Sequence, residues 1–340
     1  ELFALLDAES GRELGVQKRL RSEFDADLVR AAMTLRDLQA RGEVKFTRSA
    51  QMWFDPKGLE QATSQAVAEH KSKRFAERGR VNDWCCGIGA DAIALATAGC
   101  DVEAVDLLAA NCLRTEWNAE VHGVADRVVT RQADVKTITD RTGLLHIDPD
   151  RRDRLGRRIT RVEDCSPGLA FLQRAASKFD GGAIKLSPAA NFSGKFLDVE
   201  IELVSLHGEC REATVWFGEL AGEESFRATS LPSGETIAAD PLSAWTNVGA
   251  PGEFLFDPDP GIVRAGLVDV LAEKLDLRRL DNAEEYLTGD SPMASPFLQT
   301  FRVLDNLPNN PKQYRRAVRA HSFGQAEVKC RHIPILAEDV

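Results

Sequence analysis

No apolar run in the 340 residues approaches the length of a membrane span, and the start of the chain has no signal-peptide pattern. Cytoplasm is the expected compartment, with no membrane partner. C-x-x-C is absent. The seven cysteines (Cys85, Cys86, Cys100, Cys112, Cys165, Cys210 and Cys330) are scattered, and apart from the adjacent pair none has metal-ligand spacing. This excludes a recognisable zinc or disulfide framework and fits reduced thiols. No Ser/His/Asp arrangement, internal repeat or low-complexity segment is present. A net charge of −10 excludes a protein that coats nucleic acid generally. Two basic clusters stand out against that balance. One is Arg151, Arg152, Arg154, Arg157, Arg158 and Arg161, and the other is Lys312, Arg315, Arg316, Arg319, Lys329 and Arg331. Arginines in such clusters suit phosphate contacts, although acids such as Asp150, Asp153, Glu163 and Asp164 are interleaved with the first.

Among what is present, Val81-Asn-Asp-Trp-Cys-Cys-Gly-Ile-Gly-Ala-Asp91 says most. It reads as a strand breaking into a glycine turn that opens a helix, where glycine lets backbone approach a ligand and the helix amides face it. Gly87-x-Gly89-x-x-Ala92, with Asp106 further on, fits the dinucleotide pattern. Against that reading, Asp83 stands four residues before Gly87, at the mouth of the turn, where a carboxylate repels a pyrophosphate. It suits a cationic ligand, and S-adenosylmethionine (SAM) carries a sulfonium and an ammonium group. Three further apolar runs end in acids: Val102 to Asp106, Val128 to Asp134, and Leu144 to Asp148-Pro149.

This ordered set of strand-end acids resembles the class I SAM-dependent methyltransferases. The resemblance implies a Rossmann-like, seven-stranded α/β sheet closed by an antiparallel pair. It also implies SAM as cofactor, with Asp83, Cys85, Gly87, Gly89, Asp106, Leu107, Asp134 and Asp148 as its binding residues. Cys85 and Cys86 are read as packing rather than nucleophiles. Met52-Trp53-Phe54 and the segment Ala62 to Arg74 are similar to the trimethylguanosine-synthase-like RNA methyltransferases, in which Phe54 or Thr63 would lie near the methionine end of SAM.

The expected organisation is an N-terminal helical region over residues 1–60, a methyltransferase domain over 61–235, and a small α+β domain over 236–340 similar to THUMP-like modules. Helices are expected from Glu23 to Gly42, Leu59 to Arg78, Ala90 to Ala98, Ala109 to His122, Cys165 to Arg174, Val263 to Leu275 and Pro311 to Ala320. A fifth strand is expected over Gly181 to Pro188, and a hairpin over Val199 to Gly218. Late strands are expected at Phe297 to Leu304 and Gln325 to Ile333.

Amino-methylating enzymes of this class follow their fourth strand with Asp, Asn or Ser, then Pro-Pro and an aromatic. Here the segment is Asp148-Pro149-Asp150-Arg151, so Asp150 replaces the second proline and Arg151 the aromatic. Asp148, Pro149 and Arg151 are the candidate catalytic residues. Asp148 would hold the acceptor, and arginine can stack on a base or pair with phosphate. Lys185 and Asn191 are candidate lining residues of the acceptor pocket, and His70 and His146 read as satisfied histidines. The leading function is methyl transfer to RNA, at a base nitrogen among other acceptors. A small-molecule or protein acceptor, or a SAM- or RNA-binding module without catalysis, remain as alternatives.

Overall fold

The computed structural model describes residues 2–8, 20–152, 157, 159–308, 310–321, 327 and 329. The chain divides into two compact units: Glu1–Val199 with Thr214–Gly222, and Glu200–Ala213 with Glu223–Val340. Among the described residues, no helix is long and apolar enough to cross a membrane.

The first unit opens with helices α1 (Leu2–Ala8), α2 (Ala26–Gly42), α3 (Pro56–Gln61) and α4 (Gln65–Ser72). Asp25 caps α2 by accepting from the amides of Asp27 and Leu28. The single helix expected over Leu59 to Arg78 is two short ones. Ala62 and Ser64 are extended between them, and the Lys45 ammonium collects the carbonyls of Leu59, Glu60 and Ala62 at 2.8, 2.9 and 3.0 Å. Those carbonyls are the unsatisfied ones of a helix end, so one cation stops α3. The break sends Thr63 inward instead of along a helix surface.

An alternating series follows: β1 (Arg80–Trp84), α5 (Ala90–Thr97), β2 (Asp101–Asp106), α6 (Ala109–His122), β3 (Val128–Gln132), β4 (Leu144–Ile147), α7 (Leu169–Ala176) and β5 (Gly181–Leu186). β1 pairs in parallel with β2 and β4, β2 with β3, and β4 with β5. β4 and β5 are buried throughout, as strands of a parallel sheet covered on both faces must be. Phe75, Val81, Ile93, Leu95, Val102 and Trp216 form the core against α5. A second cluster of Leu35, Leu38, Phe46, Met52, Phe54, Leu59 and Ile88 packs the N-terminal helices. α7 starts at Leu169, later than expected, because Pro167 and Gly168 stand in the turn before it.

β6 (Val199–Leu206) and β7 (Glu209–Gly218) are joined by His207 and Gly208, both at positive φ. A two-residue hairpin turn of matching twist needs that conformation. Strand order runs β3-β2-β1-β4-β5-β7-β6 and then continues through β8 (Phe226–Leu231) and β9 (Glu235–Ala239). Among the described residues the sheet therefore has nine strands where seven were expected. β8 is half-buried at Phe226 and Arg227 and buried from Ala228 to Leu231, with no alternation to mark it beforehand.

In the second unit β8 runs parallel to β6, and β9 antiparallel to β8. A separate antiparallel sheet has the order β11-β12-β10-β13, built from β10 (Phe254–Pro258), β11 (Arg278–Arg279), β12 (Leu287–Gly289) and β13 (Leu298–Arg302). The helix expected over Val263 to Leu275 is again two, α8 (Pro260–Ala265) and α9 (Val268–Leu275), because Gly266 takes φ +73 and closes α8. α10 (Pro311–Ala320) follows. Most of the strand expected over Gln325 to Ile333, together with Cys330 and Arg331, lies outside the described residues.

Candidate cofactor and acceptor site

The turn after β1 places Cys85, Gly87 and Gly89 at φ +63, +58 and +85, the region that L side chains avoid. The two glycines serve different needs. A Cβ on Gly89 would lie 2.8 Å from Thr115 Cγ2 and 3.1 Å from Thr115 Cα, so Gly89 lets the turn pack on α6. A Cβ on Gly87 would meet nothing within 4 Å, and Gly87 lines a cavity. That cavity has a volume of about 340 Å³. Asp83, Cys85, Gly87, Asp106, Leu107, Asp134, Asp148, Pro149 and Arg151 all line it. Of the candidate residues in the turn itself, Gly89 alone does not.

Sequence reading missed the residues that hold the turn from behind. Thr115 on α6 donates to the Gly87 carbonyl at 3.2 Å. Asn118 donates to the Ile88 and Trp53 carbonyls at 2.9 and 3.1 Å and accepts from the Trp53 amide at 2.7 Å. Both are fully buried, and buried polar side chains are held by hydrogen bonds such as these.

Asp106, the last residue of β2, accepts from the Gly87 amide at 3.0 Å and the Leu108 amide at 2.9 Å, and from Asn111 at 3.1 Å. Asp134 lies just past β3 and accepts from the Lys136 amide at 3.0 Å, fixing its carboxylate beside the cavity. Asp83 is buried inside β1, in register with His146 of β4, whose Nδ1 is 2.6 Å from its Oδ1. Among the described residues, its Oδ2 has no hydrogen-bond partner. Burial raises the Asp83 carboxyl above its ordinary range, with His146 opposing. Asp91, in the first turn of α5, behaves oppositely. Burial works to raise it, but Lys71 at 3.0 Å, His146, Lys185 and the Thr63 hydroxyl at 2.7 Å together hold it well below the usual range. His146 Nε2 is 3.9 Å from Asp91, so the imidazole lies between two buried acids. The Cys85 thiol is pushed well up by burial and by Asp106, Asp148 and Asp83, which removes it as a thiolate nucleophile.

On the acceptor side, Asp148 follows β4 and its Oδ2 lies 2.6 Å from the Nζ of buried Lys185 on β5. Lys185 thus serves the cavity through Asp148. Asn191 does not line the cavity; its side chain accepts from the Val162 amide at 3.0 Å. Asp150, standing where a proline was expected, pairs with Lys57 at 2.8 Å and meets Gln61 at 3.4 Å. Arg152 pairs with Glu60. The segment is therefore held to α3 by charge rather than stiffened by a second proline. Arg161 is near Glu163 and Asp164 at 3.9 and 3.8 Å, while Arg154 and Arg158 lie outside the described residues. Thr63 reaches the cavity; Phe54 is buried against Phe46 with ring centroids 5.8 Å apart and does not. Among the described residues, no group of three or more His, Cys, Asp or Glu side chains is arranged to hold a metal.

Among the described residues, seven aspartates line the cavity against three cations, Lys57, Lys136 and Arg151. Such a lining favours a ligand carrying positive charge over a pyrophosphate. A glycine turn at the carboxyl end of a parallel sheet, ringed by strand-end acids, defines a Rossmann-like methyltransferase frame. Two strains of Mycobacterium tuberculosis carry an uncharacterized S-adenosylmethionine-dependent methyltransferase that is 33% identical over 297 residues, covering 84% of this chain and 79% of the relative. The family described as RNA cap guanine-N2 methyltransferase matches residues 78–153, and the family described as THUMP domain-like matches residues 298–340. A crystal structure from Porphyromonas gingivalis W83, named only provisionally as a methyltransferase, superposes with a TM-score of 0.76 at 21% identity, covering 93% of this chain and 84% of that one. At that identity the likeness shows the fold. The chain belongs to the S-adenosylmethionine-dependent methyltransferases, and SAM is its cofactor.

Proposed function

We propose that the cavity holds SAM and presents its methyl group to an amino nitrogen of RNA. The observation that carries the cofactor placement is the seven-aspartate lining around an open Gly87. Asp106 would take the ribose hydroxyls, Asp134 the adenine amino group, and Asp83 with its unpartnered oxygen the ammonium end. Bound there, SAM supplies the methyl group on a sulfonium. Asp148 accepts the N–H hydrogens of the acceptor and so aims the nitrogen lone pair. Lys185 fixes the Asp148 carboxylate from the buried side. Arg151 stacks on the acceptor base or grips its phosphate. RNA as acceptor is supported by the RNA cap guanine-N2 match, which runs from just before β1 through the glycine turn to Asp148, Pro149 and Arg151.

Two measurements test this. Calorimetric titration with SAM and with NAD decides the cofactor site, the expected result being binding of SAM alone. Transfer of labelled methyl from SAM into the RNA, protein and small-molecule fractions of a cell extract decides the acceptor. Label in RNA is expected; label confined to protein or small molecules rejects the RNA reading, and label in no fraction favours a binding module.

A further inference from the structure

Asp83 and Asp91 line the cavity, while Lys71, His146 and Lys185 stand behind it. All five are buried, His146 completely. They come from five elements: Lys71 from α4, Asp83 from β1, Asp91 from α5, His146 from β4 and Lys185 from β5. Lys185 is matched by Asp148 at 2.6 Å and Lys71 by Asp91 at 3.0 Å. Asp83 is left with the imidazole, Nδ1 2.6 Å from its Oδ1. Phe75 meets that imidazole edge-on, with ring centroids 6.5 Å apart, and Thr63 donates to the far oxygen of Asp91 at 2.7 Å. Asp106, also buried, gives its oxygens to the Gly87 and Leu108 amides.

With a neutral imidazole, Asp83, Asp91 and Asp148 outnumber Lys71 and Lys185 by one charge, and an uncompensated buried charge is costly. Two atoms are placed to cancel it. His146 Nε2 and Asp83 Oδ2 are buried and, among the described residues, have no hydrogen-bond partner. Nε2 faces Asp91 Oδ1 at 3.9 Å. A bare lone pair there opposes a carboxylate oxygen, whereas an N–H is drawn to it. A cation seated on Asp83 Oδ2 cancels the same charge from the cavity side. Both together would leave the cluster one positive charge in excess.

We propose that His146 is a positioning residue that carries a second ring proton when SAM is absent and gives it up to solvent when the SAM ammonium seats on Asp83 Oδ2. The inference rests on the placement of that ammonium proposed above. Nδ1–H keeps Asp83 oriented throughout; the proton on Nε2 is exchanged for the cofactor's charge. Affinity for SAM therefore rises with pH until the free protein no longer holds the proton, by up to about tenfold per pH unit.

The test is calorimetric titration with SAM in cacodylate and in bis-Tris, whose ionisation enthalpies differ, so that the difference in heat counts protons. Wild type is expected to release about one proton per SAM near pH 6, where the ligand's own amine, titrating at about 8, stays charged. H146N keeps a donor for Asp83 Oδ1 but takes no proton, and should bind with a count near zero and no pH dependence between about pH 5.5 and 7. H146L lacks the donor too and should bind about tenfold more weakly at every pH. In wild type labelled with ¹⁵N-histidine, one of the six imidazoles should pass from charged to neutral on adding SAM, a reading that needs no variant to fold. Six unchanged imidazoles overturn the inference. So do a wild-type release below about 0.2 proton and an equal release in H146N. D83N separates the two readings. Full SAM affinity in D83N sinks the ammonium placement, and this inference with it. Affinity lost in D83N, with equal proton counts in wild type and H146N, sinks this inference alone.

Discussion

Lys185 and Asp148 stand side by side at the ends of neighbouring strands, Nζ 2.6 Å from Oδ2, the ammonium buried and the carboxylate open to the cavity. The β4–β5 register, Ile147 opposite Ile184, makes them the next pair along. Asp148→Ala is expected to cut methyl transfer by about 10²-fold or more while SAM affinity, measured by calorimetry, changes little. Unchanged turnover would remove Asp148 from the chemistry. Lys185→Met should lower both turnover and stability, the latter by roughly 2–3 kcal/mol, below a fully buried pair because Asp148 is partly solvated.

Asp106 gathers the Gly87 and Leu108 amides on its two oxygens. Asp106→Ala removes the proposed ribose partner and loosens the glycine turn together. The expected loss of SAM affinity is about 10–100-fold, the value of one or two hydrogen bonds to a charged group. Calorimetry on a variant shown to be folded reads it, and affinity within twofold of wild type would place the ribose elsewhere.

The two glycines of the turn should fail differently. Gly89→Ala collides with Thr115 and adds backbone strain, so a melting temperature lowered by the equivalent of about 2–3 kcal/mol is expected. Gly87→Ala has room for its methyl and should cost only about 1 kcal/mol of left-handed strain. Because Gly87 lines the cavity, SAM binding should fall more than stability does. The reverse ranking in thermal melts and titrations would contradict the division of roles.

Lys71 and Asp91 form a buried pair 3.0 Å apart. Lys71→Met strands Asp91 and should cost about 3–5 kcal/mol near neutrality. Because Asp91 is held below its ordinary value of 3.8 in the fold, its contribution is present above that value and is lost as pH falls through the lower folded value. In the variant the carboxyl titrates higher. The deficit seen by urea unfolding should therefore shrink as pH drops into the carboxylate range. A deficit independent of pH would mean that lost packing, not charge, is responsible.

The sheet was legible because its parallel strands are short apolar runs ending in acids, and each acid but Asp83 falls at or just past its strand. Asp83 is inside β1, and its partner His146 is set by the β1–β4 register, which no local pattern encodes. The break at Ala62 to Ser64 was equally hidden. It depends on Lys45, 14 residues or more away from the carbonyls it binds, and it delivers Thr63 to Asp91. The helix from Ala109 to His122 was expected, but the burial of Thr115 and Asn118 under the glycine turn was not. Strand-end positions are local facts, whereas a buried polar network is an agreement among distant segments.

The aspartate lining also bears on what leaves the cavity. The reactant carries a sulfonium charge, and once the methyl has moved the sulfur is neutral. On the proposed placement the same walls therefore attract the reactant more than the spent cofactor, with no change of shape required. On that placement, loss of the sulfonium charge weakens the hold on the discharged molecule and leaves the acids to draw in the next cofactor.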